Sequence, residues 1–368
     1  MFYTLQKVPQ AKGRLHRVSY LIAYLLLVAS FALLGTCVNA KKPDVKSEVA
    51  KTTISGYVQV QFQTTNEDDA VPNNTFSVHR GRIQLKSKLT DSLSTTLEID
   101  AKTDGVETKD IYLRYKISPK FSLKVGQMKK PFSFSYLQAM YKSPMIERPL
   151  HVRKYFDNYL GRDVGLIAEW EPHKRIELAM GVFNGSGSGE DAATDNNNAK
   201  DFVGRVELMP AKWLTMGGNV SSHSLTEDSN DTSLADRQVT AYVRFAHRRI
   251  RLTGADLSFR RGGFRVVVEG LFGDKPESGV DAQMIGLYIT VAHKRELKDS
   301  VIAAVESGGR IEFADRDRTI DNDAVISVTP YVGFYFHKNA RLQICPTLRF
   351  PQQGDAILEF ITQAQIEF

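Results

Sequence analysis

The chain has 368 residues, with 48 Lys and Arg against 42 Asp and Glu, a formal charge of +6 and 42% hydrophobic residues. Residues 1–40 hold four of those bases (Lys7, Lys12, Arg14, Arg17) and no acid, so 44 bases face 42 acids in the rest. That near-neutral remainder removes overall basicity as an argument for a nucleic-acid partner.

The N-terminus reads first as a targeting segment. After the basic stretch comes an apolar run from Tyr20 to Gly35, then Val38-Asn39-Ala40, a small-x-small pattern before Lys41. These are the parts of a secretory signal peptide, and the run is short for a spanning helix. Cleavage near Ala40 is therefore expected. Leu34-Gly35-Thr36-Cys37 resembles a lipoprotein acceptor only faintly, because Thr is unfavourable before the Cys. With Cys37 in the leader, Cys345 stands alone and no internal disulfide is available. No CxxC or HExxH occurs and the His are scattered, so neither a metal nor another cofactor is called for. Residues 41–52 form a polar lead-in, and 53–368 read as one domain.

From there the pattern has period 2. In 54–63, Ile54, Gly56, Val58, Val60 and Phe62 alternate with Ser55, Tyr57, Gln59, Gln61 and Gln63. In 80–89, Ile83, Leu85 and Leu89 alternate with Arg80, Arg82, Gln84, Lys86 and Lys88. The segments 93–102 and 109–117 repeat the rhythm, with Glu98, Asp100, Asp110 and Arg114 on their polar faces. It returns at 239–245 and at 326–336. Alternation of this length marks strands with one apolar and one wet face. Turn signals lie between them at Asp91-Ser92, Asp104-Gly105 and Ser118-Pro119, and longer polar loops at 64–75, 184–200 and 224–236.

A soluble sandwich and a membrane barrel both fit such strands. Rows of charges and amides on strand after strand suit a water-filled lumen, with the apolar face toward lipid. The length allows about 16 strands at roughly 20 residues each, with 18 left open. The expected fold is all-β: a transmembrane antiparallel β-barrel with an inward-folded constriction loop. The last segment, 360–368, alternates and ends on Phe368. A terminal aromatic on such a strand resembles the signal that outer-membrane proteins present to the barrel assembly machinery.

One stretch breaks the alternation. Residues 129–162 follow the strand that ends near Gly126 and are rich in aromatics (Phe132, Phe134, Tyr136, Tyr141, Tyr155, Phe156, Tyr159). Long loops of this kind are functional or disordered, and the aromatics argue against disorder.

Ordered motifs then point to a family. They are Ser55-Gly56-Tyr57-Val58-Gln59, His79-Arg80-Gly81-Arg82 and Lys109-Asp110-Ile111-Tyr112-Leu113-Arg114-Tyr115, then Val125-Gly126-Gln127-Met128-Lys129-Lys130-Pro131-Phe132. Ile146-Glu147-Arg148-Pro149, Gly161-Arg162-Asp163-Val164-Gly165 and Gly181-Val182-Phe183-Asn184-Gly185 follow. In this order they resemble the phosphate-selective porin O and P family, strongly over 54–215 and diffusely afterwards. The resemblance implies a homotrimeric, anion-selective barrel of 16 strands.

Anion passage needs fixed positive charge at a narrow point. The row Arg80, Arg82, Lys86 and Lys88 supplies it first, extended by Arg114 and Lys124, with Arg205 and Arg244 from facing strands. The second source is the irregular stretch, through Lys129, Lys130, Arg148 and Arg162. The alternative for these cations is a place at the rim, against lipopolysaccharide phosphates or paired with Glu147, Asp157 and Asp163. Small anions such as phosphate are the expected cargo, and outer-membrane lipid the surroundings. A nonspecific diffusion porin and a closed structural or adhesive barrel remain alternatives. An enzyme is not expected: there is no G-x-S-x-G elbow and no Walker loop, and Asp315 and Asp317 fall in a turn-like charged stretch.

Overall fold

The computed structural model describes residues 51–67, 73–185, 199–224, 249–274 and 282–368. The leader at 1–40, most of the polar lead-in, and the alternating segment 239–245 with Arg244 lie outside the described residues.

Sixteen antiparallel strands close into one barrel. They are β1 (Lys51–Thr65), β2 (Asn74–Lys88), β3 (Leu93–Lys102), β4 (Gly105–Ser118), β5 (Phe121–Lys129) and β6 (Arg162–His173). Then come β7 (Ile176–Phe183), β8 (Asp201–Ala211), β9 (Leu214–Ser224), β10 (Arg249–Arg261) and β11 (Phe264–Asp274). The last are β12 (Gln283–Glu296), β13 (Ala304–Asp315), β14 (Val325–His337), β15 (Ala340–Pro351) and β16 (Ile357–Glu367). β1 begins at Lys51, so the end of the expected lead-in belongs to the first strand.

Each strand pairs with its sequence neighbours, and β1 returns to β16 from Tyr57↔Glu367 to Thr65↔Glu359. The apolar set of each alternation faces outward: Val58, Val60, Ile83, Leu97, Ile111, Leu113 and Val125 are all exposed. The polar set faces inward, where Gln59, Gln61, Thr96, Glu98 and Asp100 are buried. A soluble protein hides its apolar face; here the exposed apolar band is the lipid-facing surface of a membrane barrel. Among the described residues, no helix is long and apolar enough to cross a membrane.

The two rims differ. One carries tight turns, as at 119–120, 174–175, 212–213 and 262–263, and both ends of the barrel sequence. The other carries the long connections, including 130–161 between β5 and β6. Exposed aromatics sit near both: Trp170, Trp213, Phe264 and Phe336 on the turn side, Phe76 and Phe350 on the loop side. Short turns inside, long loops outside and aromatic girdles are the arrangement of outer-membrane barrels.

The closing seam is bonded twice. Its backbone pairs include Gly56 N–H to Phe368 O at 2.9 Å and Phe368 N–H to Gly56 O at 3.0 Å. On the lumen side an amide ladder crosses it. Gln59 Nε2 donates to Gln365 Oε1 (2.7 Å) and Gln61 Nε2 to Gln363 Oε1 (2.8 Å). Gln363 Nε2 carries the ladder on to β15, donating to Gln343 Oε1 (2.9 Å). On the outside the Phe368 ring covers Gly56, where a Cβ would lie 2.6 Å from the ring and 2.3 Å from the Arg82 carbonyl oxygen. Aromatic cover of a strand glycine is a known device for pinning register. Gly56→Val should therefore overpack the seam and cost on the order of 1–3 kcal/mol. The check is the temperature at which the folded barrel's fast gel mobility is lost; an unchanged temperature would contradict the role given to Gly56.

Candidate functional site: the lumen beside β1–β6

Residues 130–161 leave β5, and their bonds run to strands far around the barrel. Glu269 on β11 accepts from Phe134 N–H (2.7 Å) and Ser135 N–H (3.2 Å). Glu312 on β13 accepts from Leu150 N–H at 2.5 Å. Arg341 on β15 donates to Tyr141 O (2.7 Å), Gln343 to Pro144 O (2.8 Å), and Arg310 on β13 to Glu147 O (2.8 Å). Only short turns of helix form within the segment, at Phe134–Leu137, Met140–Lys142, His151–Tyr155 and Asp157–Leu160. Proline and polar side chains interrupt it, and the carboxylates above satisfy the freed backbone donors.

Its aromatics build a core on one side of the lumen. Phe132, Val152, Phe156 and Leu160 pack with Met128, Ile167, Phe183, Val203, Ile250, Leu252, Leu271 and Met284, on strands β5 to β12. His151 is the wedge of this packing. Both its ring nitrogens lack a hydrogen-bond partner among the described residues, and burial, then the charge of Arg310, pull it down to about 3. The ring is neutral at pH 7 and lies edge-on to Phe156 at 6.3 Å. It sits over Gly286 on β12, where a Cβ would come within 2.1 Å of the imidazole.

The open space is on the other side. A cavity of about 860 Å³ toward the loop rim has Arg80, Arg82, Lys102, Lys109, Arg148 and Arg162 in its wall, against Asp104, Glu107 and Asp157. A second, of about 300 Å³, shares Arg82 and Arg162 with it and reaches Lys86 and Phe368 toward the turn rim. A third, of about 370 Å³, shares Asp110, Lys129 and Leu137 with the second and holds Arg114, Lys124 and Arg205. The boundary between outer and inner spaces therefore falls at Arg82 and Arg162.

The expected cations differ in what they hold. Arg82 pairs with Asp100 (2.5 Å) and Glu98 (3.3 Å), and Arg162 with Asp110 (2.6 Å) and Glu98 (3.2 Å). Arg114 and Lys124 share Glu169 at 2.9 and 2.5 Å. Arg205 is bound to Asp256 (2.6 Å) and Asn219 (2.6 Å). Lys88 meets Asp91 at the turn rim. Lys130 is buried between Asp201 (3.1 Å) and Asp163 (3.3 Å), so it ties the segment to the wall rather than facing the open space.

Three others are held by neutral acceptors alone among the described residues. Arg80 Nη1 donates to Gln59 Oε1 at 2.9 Å. Lys129 Nζ donates to the carbonyls of Tyr136 (2.7 Å) and Leu137 (3.2 Å). Arg148 donates to the carbonyls of Ser135 (3.1 Å) and Tyr136 (3.3 Å). Burial lowers Arg148 to about 10, Tyr136 opposing and Arg80 adding, so it stays charged at neutral pH. Lys86 is exposed in the inner space with no carboxylate partner among the described residues.

Next to them, Glu147 meets His79 Nε2 at 3.2 Å. Burial raises the Glu147 carboxyl, but His79 and then Arg80 outweigh it and hold it below the usual carboxylate range. Sequence reasoning missed Lys102 and Lys109, which share Glu107, and the loop anchors Arg310 and Arg341. The sequence reads 310–323 as a turn-like charged stretch, but Arg310, Glu312 and Asp315 belong to β13, and Arg310 and Glu312 are buried on its inner face.

A closed sixteen-strand barrel with an apolar outer band and a wet, charged lumen defines an outer-membrane porin. The model of the phosphate-selective porin O and P family matches residues 53–253, and the chain belongs to that family. No curated protein sequence matches the chain. Solved barrels share the fold at low identity. An anion-selective porin from Comamonas acidovorans is 11% identical with a TM-score of 0.63, covering 87% of this chain and 100% of its own. Pseudomonas putida OprB is 10% identical at 0.60, covering 87% and 94%. The trimer form of Vibrio cholerae OmpT is 12% identical at 0.56, covering 87% and 99%.

Gly286→Ala should lift His151 and displace the segment from its seat, at an overpacking cost of about 1–3 kcal/mol. Single-channel conductance in a planar bilayer should rise; conductance equal to the parent's would show that the segment is not seated through His151.

Proposed function

We propose that the chain forms an anion-preferring channel for small inorganic anions, phosphate among them. The path runs off-centre, between β1–β6 and the inserted segment, which narrows it. The observation that carries this reading is the pair Arg80 and Arg148, whose charges are answered by amide and carbonyl oxygens instead of carboxylates. A cation solvated by neutral acceptors keeps its long-range field, and such a field favours anions over cations. Guanidinium forks also match phosphate oxygens in pairs. The family's description and the anion selectivity of the Comamonas barrel support the same assignment. Arg82, Arg162, Arg114, Lys124 and Arg205 would act mainly as braces, since carboxylates already claim them.

The remaining features fit an exported channel. Residues 1–40 would be removed near Ala40, and Phe368 would be read by the assembly machinery. Basic side chains of the loop rim would meet lipopolysaccharide phosphates. Assembly as a homotrimer is supported by the trimer form of the Vibrio relative.

The charges can be tested directly. One unit charge at roughly 8 Å and an effective dielectric near 40 is worth about 1 kcal/mol. That is about fivefold in local ion occupancy. Arg80→Gln combined with Arg148→Gln should move the zero-current potential in a salt gradient toward the cation side, lowering the chloride-to-potassium permeability ratio several-fold. A parent channel that prefers cations would overturn the proposal, and so would a ratio unmoved by the double substitution. Phosphate should compete with chloride current in the parent; its failure to do so would leave a nonspecific diffusion porin.

A further inference from the structure

We infer that the inner space is a binding site for organic anions with an aromatic body. The inference rests on the anion-channel reading and names a second class of cargo for the same lumen. The outer and inner spaces differ in chemistry. The outer wall carries twice as many cations as carboxylates. The inner cavity of about 300 Å³ sets Tyr57, Tyr141, Leu137 and Ala139 beside Arg82 and Lys86. Its wall is mixed, with apolar faces beside charged groups, and small-molecule sites use apolar faces for contact and placed polar groups for orientation.

Two of those polar groups lack a partner. The Tyr57 side chain is 4% exposed, yet its hydroxyl finds no acceptor among the described residues. Arg82 Nε is also without one, although the outer guanidinium nitrogens are held by Asp100 and Glu98. Buried donors normally find an acceptor, because an unmade bond carries the full desolvation cost. Both side chains line one cavity, and a carboxylate there accepts from these covered donors once they turn toward it. Lys86 adds a free ammonium to the same wall.

Three carboxylates share this wall. Glu98 is engaged by Arg82, Arg162 and Gln84, and Asp110 by Arg162. Glu367, opposite Tyr57 across the seam, accepts from Gln365 and meets no cation among the described residues. Against these three the wall sets four basic side chains, Arg82, Lys86, Lys129 and Arg162, so its balance stays positive.

The apolar end is held in place. The rings of Tyr57 and Tyr141 lie 4.9 Å apart at 37°, and the Arg82 guanidinium is 5.6 Å from the Tyr57 centroid. Arg341 and Gln365 both donate to the Tyr141 carbonyl, which fixes that ring relative to β15 and β16. A benzene ring gains by contact with two such faces and a guanidinium plane. Inorganic phosphate gains nothing from them, and neither does acetate beyond its methyl group.

The test uses the full-length channel in a planar bilayer carrying chloride current, with benzoate, acetate and inorganic phosphate added separately from the turn side. Benzoate should half-block the current at a concentration at least roughly tenfold below that of acetate, as one well-placed aromatic contact allows. Tyr57→Phe, which removes the hydroxyl and keeps the ring, should weaken benzoate block several-fold relative to phosphate block. Tyr141→Ala should weaken it further on the same ratio. Equal potency of benzoate and acetate would overturn the inference, as would an unchanged benzoate-to-phosphate ratio in both variants. A channel without anion current would sink the proposed function but not decide this site. Saturation-transfer NMR of benzoate on the detergent-solubilised protein then decides it: signal lost in Tyr57→Phe upholds the site, and signal absent from the parent overturns it.

Discussion

In a bilayer the hydrocarbon offers no hydrogen bonds, and each unpaired backbone group costs several kcal/mol. A sheet can meet that condition only by having no edge, and the rest of this molecule follows from the seam that removes it. Pairing β1 with β16 satisfies both ends of the sheet. It also fixes which side of every strand is wet, because the side-chain period is 2 and a slip of one residue would invert the barrel. The glutamine ladder across the seam adds a second reading of the register. A slip would turn Gln59 and Gln61 into lipid and bring Val58 and Val60 inside.

Closure creates the next problem, a lumen wide enough to need contents. Residues 130–161 supply them, and the two sides of the filling are unlike. Against β5–β12 the segment buries Phe132, Phe156 and Leu160 in a dry core. The buried pairs Lys130 with Asp163 and Asp201, and the caps offered by Glu269 and Glu312, lock that packing to the wall. Breaking one member of such a buried pair leaves an uncompensated charge, at roughly 3–5 kcal/mol. Against β1–β4 the segment presents Arg148 and Tyr136 to open space. The same insertion therefore serves as core on one flank and as pore wall on the other.

Much of this was legible in the sequence, for a physical reason. Strand identity and facing are local properties, and the alternation at 93–102 reproduces β3 residue for residue. The boundary of the irregular stretch was less legible: β5 runs to Lys129, past the expected end near Gly126, and β6 starts at Arg162, so both ends of 129–162 are strand residues. The partners of the cations are not local. Arg82 faces Asp100 across the β2–β3 register, within reach of a hairpin argument from the turn at Asp91-Ser92. Arg205 to Asp256 and Lys130 to Asp201 join residues 51 and 71 positions apart, and no periodicity encodes them. Lys130 looked like its neighbour Lys129. Only the fold turns one toward carboxylates and the other toward carbonyls.

Charge counting on a sequence consequently misjudges a channel of this kind in both directions. A cation beside its carboxylate is a brace with almost no field a few ångströms away, whatever its place in a conspicuous basic row. A cation answered by carbonyl and amide oxygens satisfies its hydrogen-bonding geometry and keeps its monopole. Arg82 and Arg80 sit two residues apart on one face and fall on opposite sides of that divide. The carboxylates of the lumen thus select which cations remain effective. Glu98, Asp100 and Asp110 hold Arg82 and Arg162 in fixed positions at the boundary of the two spaces. In the proposed channel that rigidity would keep the boundary narrow while Arg80 and Arg148 supply its sign. A lumen with only free cations would repel itself open, and one fully paired would have no preference. The arrangement here separates the two duties between adjacent side chains.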